Sequence, residues 1–174
     1  MLEHFKELAV NQYHAALKTL DLCVDKCPDE TWDAPIHELA FCQAIFHALF
    51  FTDLYLGHDI KSQKAQPFHE EHANVFRDYE ELQPRKQELM YERPWIKLYI
   101  EHCRDKVTEI FASETEESLT ADQIWWKRTS SRAESHIYTI RHAQHHAAQL
   151  ILRLRLNHNV EMPWVNAGWR QQPT

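Results

Sequence analysis

The chain has 174 residues, enough for one domain with a substantial core and too few for two ordinary ones, and its 26 acidic against 19 basic residues give a net charge of −7. Acids and bases are interspersed rather than clustered, which argues against a nucleic-acid binder, since that function needs a basic patch. Only two glycines, Gly57 and Gly168, interrupt long stretches of good helix formers, so the composition reads as all-α.

The N-terminal stretch MLEHFKELAV carries charge inside its first apolar run, and no run of about 18 apolar residues follows. Neither a secretion signal nor a membrane span is expected, and a cytoplasmic protein is the default. Phe5, Leu8, Gln12, Ala16, Leu20 and Cys23 recur at three and four, predicting a first helix over about 2–25 that Pro28 ends. In CPDETWDAP, Asp33 is expected to cap a second helix over about 36–56, with Pro35 in its first turn and Gly57 just past its end. Ile36, Ala40, Gln43, Ala44, His47, Phe50, Phe51 and Leu54 then share one face, with His47 in the middle of the apolar stripe. A lone histidine there is ordinarily a core residue. Cys23, Cys27, Cys42 and Cys103 each fall within a helical apolar pattern and are expected as buried thiols, although the spacing of Cys23 and Cys27 also allows a ligand pair.

From His58 to Arg93 the chain is at its most polar, and His69 and His72 in FHEEH are expected to be solvent-exposed. A connection this long can return along the bundle, which would set a third helix parallel to the second. That third helix is predicted over about 94–113, with Pro94 near its first turn and a stripe of Ile96, Tyr99, Ile100, Cys103, Val107 and Ile110. A second link, ASETEESLTADQIWWKRTS, ends in Trp125 and Trp126, read as packing residues or a pocket wall. Ser131 and Glu134 have the spacing of a capping box and open a fourth helix over about 131–156. The tail 157–174 carries Trp164 and Trp169 and is expected to fold back on the bundle. The whole chain, 1–174, is read as a single domain.

Chemistry concentrates on the fourth helix, SRAESHIYTIRHAQHHAAQLILRLRL. His142 and His146 are four apart, so two imidazoles lie one turn apart on one face; His145 is three from His142 and competes for the role on spacing alone. With His47, three imidazoles from two helices of a bundle could converge on one ion. Three nitrogen donors suit Zn²⁺, Ni²⁺, Fe²⁺ or Cu²⁺ rather than Ca²⁺ or Mg²⁺, and they leave positions open for water or substrate, as in a catalytic centre. On an ideal wheel, however, His142 and His146 lie almost opposite the stripe of Ile137, Ile140, Ala147, Ile151 and Leu154. Either the helix is buried on both sides, with Tyr138, Leu152 and Leu156 on the second face, or the histidine face is solvated. Gln43 and Arg141 are candidate supports or substrate contacts. No Gly-rich phosphate loop, GxSxG elbow or CxxC occurs.

The helix-2 segment IFHALFFTDLYLG, the terminal-helix RHAQHHAAQL and the PWV of the tail together resemble the DinB/YfiT-like superfamily over essentially the whole chain. The resemblance implies an up-down-down-up four-helix bundle and a divalent transition metal, Zn, Ni or Fe, held by His47, His142 and His146, with His145 a neighbour. It further implies a small-molecule substrate and chemistry of a hydrolase or thiol S-transferase type that uses water or a low-molecular-weight thiol. The general base stays unassigned. The competing expectation is a non-catalytic metal-binding or stress-response interaction protein, for instance a homodimer, whose site a fourth ligand such as His69 or Glu70 would close.

Overall fold

A computed structural model describes residues 1–36, 38–76, 80–125 and 128–167; Trp126 and the last part of the tail with Trp169, about which the sequence raised expectations, lie outside the described residues. Four long helices dominate: α1 (Leu2–Lys26), α2 (Phe41–Leu56), α3 (Arg93–Ser113) and α4 (Arg132–His158). Contacts between them fix their directions. Tyr13 packs on Phe111 at 5.8 Å between ring centroids, and Arg93 Nη2 donates to Cys27 O at 2.8 Å, so α1 and α3 run antiparallel. Tyr13 also meets His136 at 6.0 Å between ring centroids, while Thr31 Oγ1 lies 2.5 Å from His158 Nε2, so α1 and α4 run parallel. Phe46 meets Tyr99 at 5.6 Å and Lys106 Nζ donates to Asp53 O at 2.8 Å, making α2 and α3 parallel. Finally, α2 and α4 are antiparallel, with His47 beside His146 near one end and Tyr55 beside Tyr138 further along. The result is the up-down-down-up bundle, in which α1 and α2 each pack against both α3 and α4.

The core is aromatic and aliphatic, with Tyr13, Leu17, Phe41, Phe46, Phe50, Tyr99 and Phe111 buried. All four cysteines are free and buried, as their apolar setting predicts. Among the described residues, no helix is long and apolar enough to cross a membrane.

The second helix begins later than its periodicity suggests. Pro35–Ile36 (β1) and Leu39–Ala40 (β2) form a two-residue antiparallel ladder, and Ala40 rather than Asp33 is the N-cap. Alanine has no side chain to cap with, but Gln43 supplies the reciprocal half of a capping box, its Oε1 accepting the Ala40 N–H at 2.8 Å. Pro35 lies in the ladder, not in a helical turn; a proline with no N–H to offer is tolerated on the edge of so short a pair. Gly57 does end α2, but in extended backbone (φ −83°, ψ −162°) rather than left-handed. At the start of α4, the Ser131 hydroxyl accepts the Glu134 N–H at 3.2 Å, the first half of the expected box.

The two links are more ordered than their polarity suggests. The first contains short helices Ile60–Lys64, Pro67–Glu71 and Ala73–Phe76, and the second a short helix Glu116–Thr120 followed by a hairpin of β3 (Asp122–Trp125) and β4 (Arg128–Ser131). Trp125 is buried and packs edge-on against Tyr55 at 5.2 Å. Beyond α4, Asn159 turns in the left-handed region (φ 52°), a conformation that asparagine tolerates, and Val160 and Met162 return to the core. Trp164, expected to pin the tail, is instead 83% exposed.

Candidate metal centre

The fold brings His47, His142 and His146 together: one ring nitrogen from each lies within 4.8 Å of the others. The reason lies in the packing of α4. Its buried face is His136, Thr139, Ala143, Ala147, Leu150 and Leu154, whereas Ile137, counted in the aliphatic stripe, is 46% exposed. The true burial centre is therefore rotated towards the histidines, which sit on the shoulder facing α2, about a quarter turn away rather than opposite. His47 occupies the matching position on α2, half-buried, with ring centroids 4.8 Å from His146 and 5.5 Å from His142.

Two observations test whether a transition metal fits. His142 Nε2 and His146 Nε2 are 3.2 Å apart. Two nitrogens bonded at about 2.0–2.1 Å to one tetrahedral ion stand roughly this far apart, so this pair needs little rearrangement. In addition, His47 Nδ1 is buried with no hydrogen-bond partner among the described residues, an expense that ordinary core histidines avoid. The electrostatics agree. Burial, reinforced by His146 and then His142, pushes the His47 pKa down to about 3, and burial with His146 and His145 pushes that of His142 down to about 4. Burial and then His145 also lower His146, against a hydrogen bond that its ring N–H, when protonated, gives to the Gln149 side chain. At neutral pH all three rings are neutral and their lone pairs are available, the state a metal requires.

Around the triad stands an aromatic wall. Phe51 lies 4.8 Å from His47, Tyr138 stacks on His142 at 6.2 Å, and Tyr55 meets the same ring edge-on at 6.4 Å. Two cavities flank it, each sharing a histidine with it. One, of about 540 Å³, is lined by Tyr138, Arg141, His142, Gln144, His145 and Ala148; the other, of about 430 Å³, includes His146, Ala44 and Arg153. Arg141 and His145 are exposed residues of the first cavity, and His145 does not join the ligating group. Gln43 is not a support for the triad: besides its cap, its Nε2 donates to Gln87 O at 3.2 Å and Leu89 O at 3.1 Å, tying the first link to α2.

His69 overturns its expectation of exposure. It is 2% exposed, and its Nε2 lies 2.7 Å from Asp53 Oδ2 in a second cluster. The same carboxylate receives Lys106 Nζ at 2.5 Å, Tyr99 Oη–H at 3.1 Å and Gln63 Nε2 at 3.0 Å, with His102 Nε2 3.3 Å away. Asp53, His69 and His102 have ligand spacing, but Asp53 already carries an ammonium and several donors and is saturated. His69 therefore serves this cluster and not the triad. Arg153, seven residues after His146 on the same helix face, is the functional candidate that sequence reasoning passed over; its spacing was the available signal.

Comparison with known proteins matches the chain to the DinB family over residues 1–173. No curated protein and no solved structure matches it.

Proposed function

We propose that this chain, which belongs to the DinB family, is a metal-dependent enzyme whose His47, His142 and His146 hold a divalent transition metal, Zn, Ni or Fe, for attack on a small electrophilic substrate. The observation that carries the reading is the convergence of three neutral, half-buried imidazoles from α2 and α4 on one point. Among the described residues the group contains three ligating side chains, which supports an open site over one closed by a fourth ligand. Such an ion, when bound, lowers the pKa of water to about 7 or holds a low-molecular-weight thiol as thiolate.

The protein's own residues supply the rest. Packing of α2 against α4 fixes where the rings stand, and Phe51, Tyr55 and Tyr138 keep bulk water from one side of them. The flanking cavities give a substrate access to His142 or His146. Hydrolysis and thiol transfer are then separated by whether turnover requires an added thiol.

The test is metal content by mass spectrometry on tag-free protein, beside His47→Ala and His142→Ala variants confirmed to be helical. About one metal per chain, lost in both variants, is the expected outcome. Wild-type protein that stays empty after incubation with Zn²⁺, Ni²⁺ and Fe²⁺ would sink the reading.

A further inference from the structure

Arg153 lines the 430 Å³ cavity together with His146, Gln149, Leu39, Ala44 and the exposed Glu38. It is only 8% exposed, yet no carboxylate among the described residues pairs with it. Its Nη2 donates to Ala34 O at 2.7 Å, its guanidinium carbon stands 5.4 Å from the centre of the Phe41 ring, and its Nε is buried without a partner. The charged or titratable groups nearest to it offer no compensation. Burial pushes the Cys27 and Cys42 thiols up to about 11, so both are neutral at physiological pH, and Asp33 accepts from Cys42 Sγ at 3.5 Å instead. With one carbonyl and one aromatic face as its protein partners, the guanidinium lines the cavity with spare N–H donors and no counter-charge among the described residues, an arrangement that an anion completes.

We propose that the cavity between the β1–β2 hairpin, α2 and α4 binds the carboxylate of a short-chain organic acid on Arg153, placing the rest of that molecule at His146. This rests on the metal-enzyme reading for the chemistry, but not for the binding. A planar carboxylate suits a guanidinium that has spare donors, and a cavity walled by Leu39, Ala44 and Leu150 suits a short aliphatic chain. Two helical turns, about 10 Å, separate the Cα atoms of Arg153 and His146 on one face of α4, and both residues line the same cavity, so a short acid spans the gap. Glu38, on the same cavity, is the competing anion. It is exposed and outside ion-pair distance of Arg153, so it repels a bound carboxylate rather than replacing it.

The test uses succinate and its neutral diamide as probes, titrated by NMR into metal-free protein, so that failure of metal uptake and failure of anion binding are read separately. Wild type should prefer succinate by about tenfold, with shifts at the Arg153 side chain and the His146 ring. Arg153→Gln should abolish the preference and Arg153→Lys should retain part of it. Glu38→Gln should tighten succinate binding by about two- to threefold through loss of repulsion. Equal affinity for the two probes in wild type overturns the proposal, as does an unchanged preference in folded Arg153→Gln. Should Arg153→Gln not fold, the Glu38→Gln variant decides: succinate binding that is unchanged or weaker there overturns it equally.

Discussion

Glu114 illustrates how single charges are held in this molecule. It lies just past the end of α3, almost fully buried, and receives Arg132 Nε and Ser118 Oγ–H, with His136 Nε2 3.3 Å away. Burial pushes its pKa up, but the bonds from His136, Ser118 and Arg132 prevail and hold it at about 2. The folded value lies below the unfolded one of about 4.3, so the stability it contributes is present above about pH 4.3 and is lost as pH falls towards 2. Glu114→Gln should destabilise the protein by about 3 kcal/mol at pH 7, because it strands the buried Arg132 guanidinium. In denaturant titrations that deficit should shrink as the pH is taken from 4.3 towards 2, and a constant deficit would show that Glu114 is not the charge being titrated. The same attention to partners separates the histidines. His136 is shared between Tyr13 Oη at 3.1 Å and Glu114, as an ordinary core histidine is, whereas His47 Nδ1 and His142 Nδ1 have no hydrogen-bond partner among the described residues.

Elements, rather than residues, explain the Asp53 cluster. Asp53 comes from the last turns of α2, Tyr99, His102 and Lys106 from α3, and Gln63 and His69 from the first link, so one carboxylate fastens an irregular segment onto two parallel helices. Its interior position alone would raise its pKa, yet His102, His69 and Lys106 hold it well below the usual carboxylate range. Asp53→Asn should cost about 3–5 kcal/mol by leaving Lys106 buried beside a neutral amide. Amide exchange should accelerate first over residues 60–71, with the α2–α4 contact protected for longer; uniform acceleration would mean that the cluster holds the bundle and not the link. This cluster was illegible in the sequence for a physical reason. Periodicity exposes elements that bury a long stripe, which is why four helices could be placed, but a polar segment buried through hydrogen bonds to residues 10 to 16 positions away has no local signature. The hairpins escaped for a related reason: strands of two and four residues are too short to show an alternation.

At the scale of the whole molecule, the candidate centre depends on where α4 sits against its neighbours. The histidines themselves were legible from their spacing, and the family resemblance selected His146 over His145, but the rotation of α4 was not. Isoleucine and leucine outweigh alanine and threonine in any hydropathy pattern, so the wheel centred on Ile137 and Ile151, whereas packing chose the smaller residues Thr139 and Ala143 beside Ala147, the one small residue of the expected stripe, and these admit a close approach. Ala147 is fully buried and adjacent to His146. Enlarging it should move α4 without touching a ligating atom. Ala147→Leu is expected to cost about 1–3 kcal/mol through overpacking. Because His47 stands on a different helix from the other two, a shift of even a fraction of an ångström widens the triad, and zinc affinity measured by chelator competition should fall by about tenfold in protein that is still helical. Ile137→Ala, on the exposed face of the same helix, should change neither stability nor affinity appreciably. If Ala147→Leu loses stability yet binds zinc as tightly as wild type, the ligands do not depend on the α2–α4 distance, and the ion is held within α4 alone.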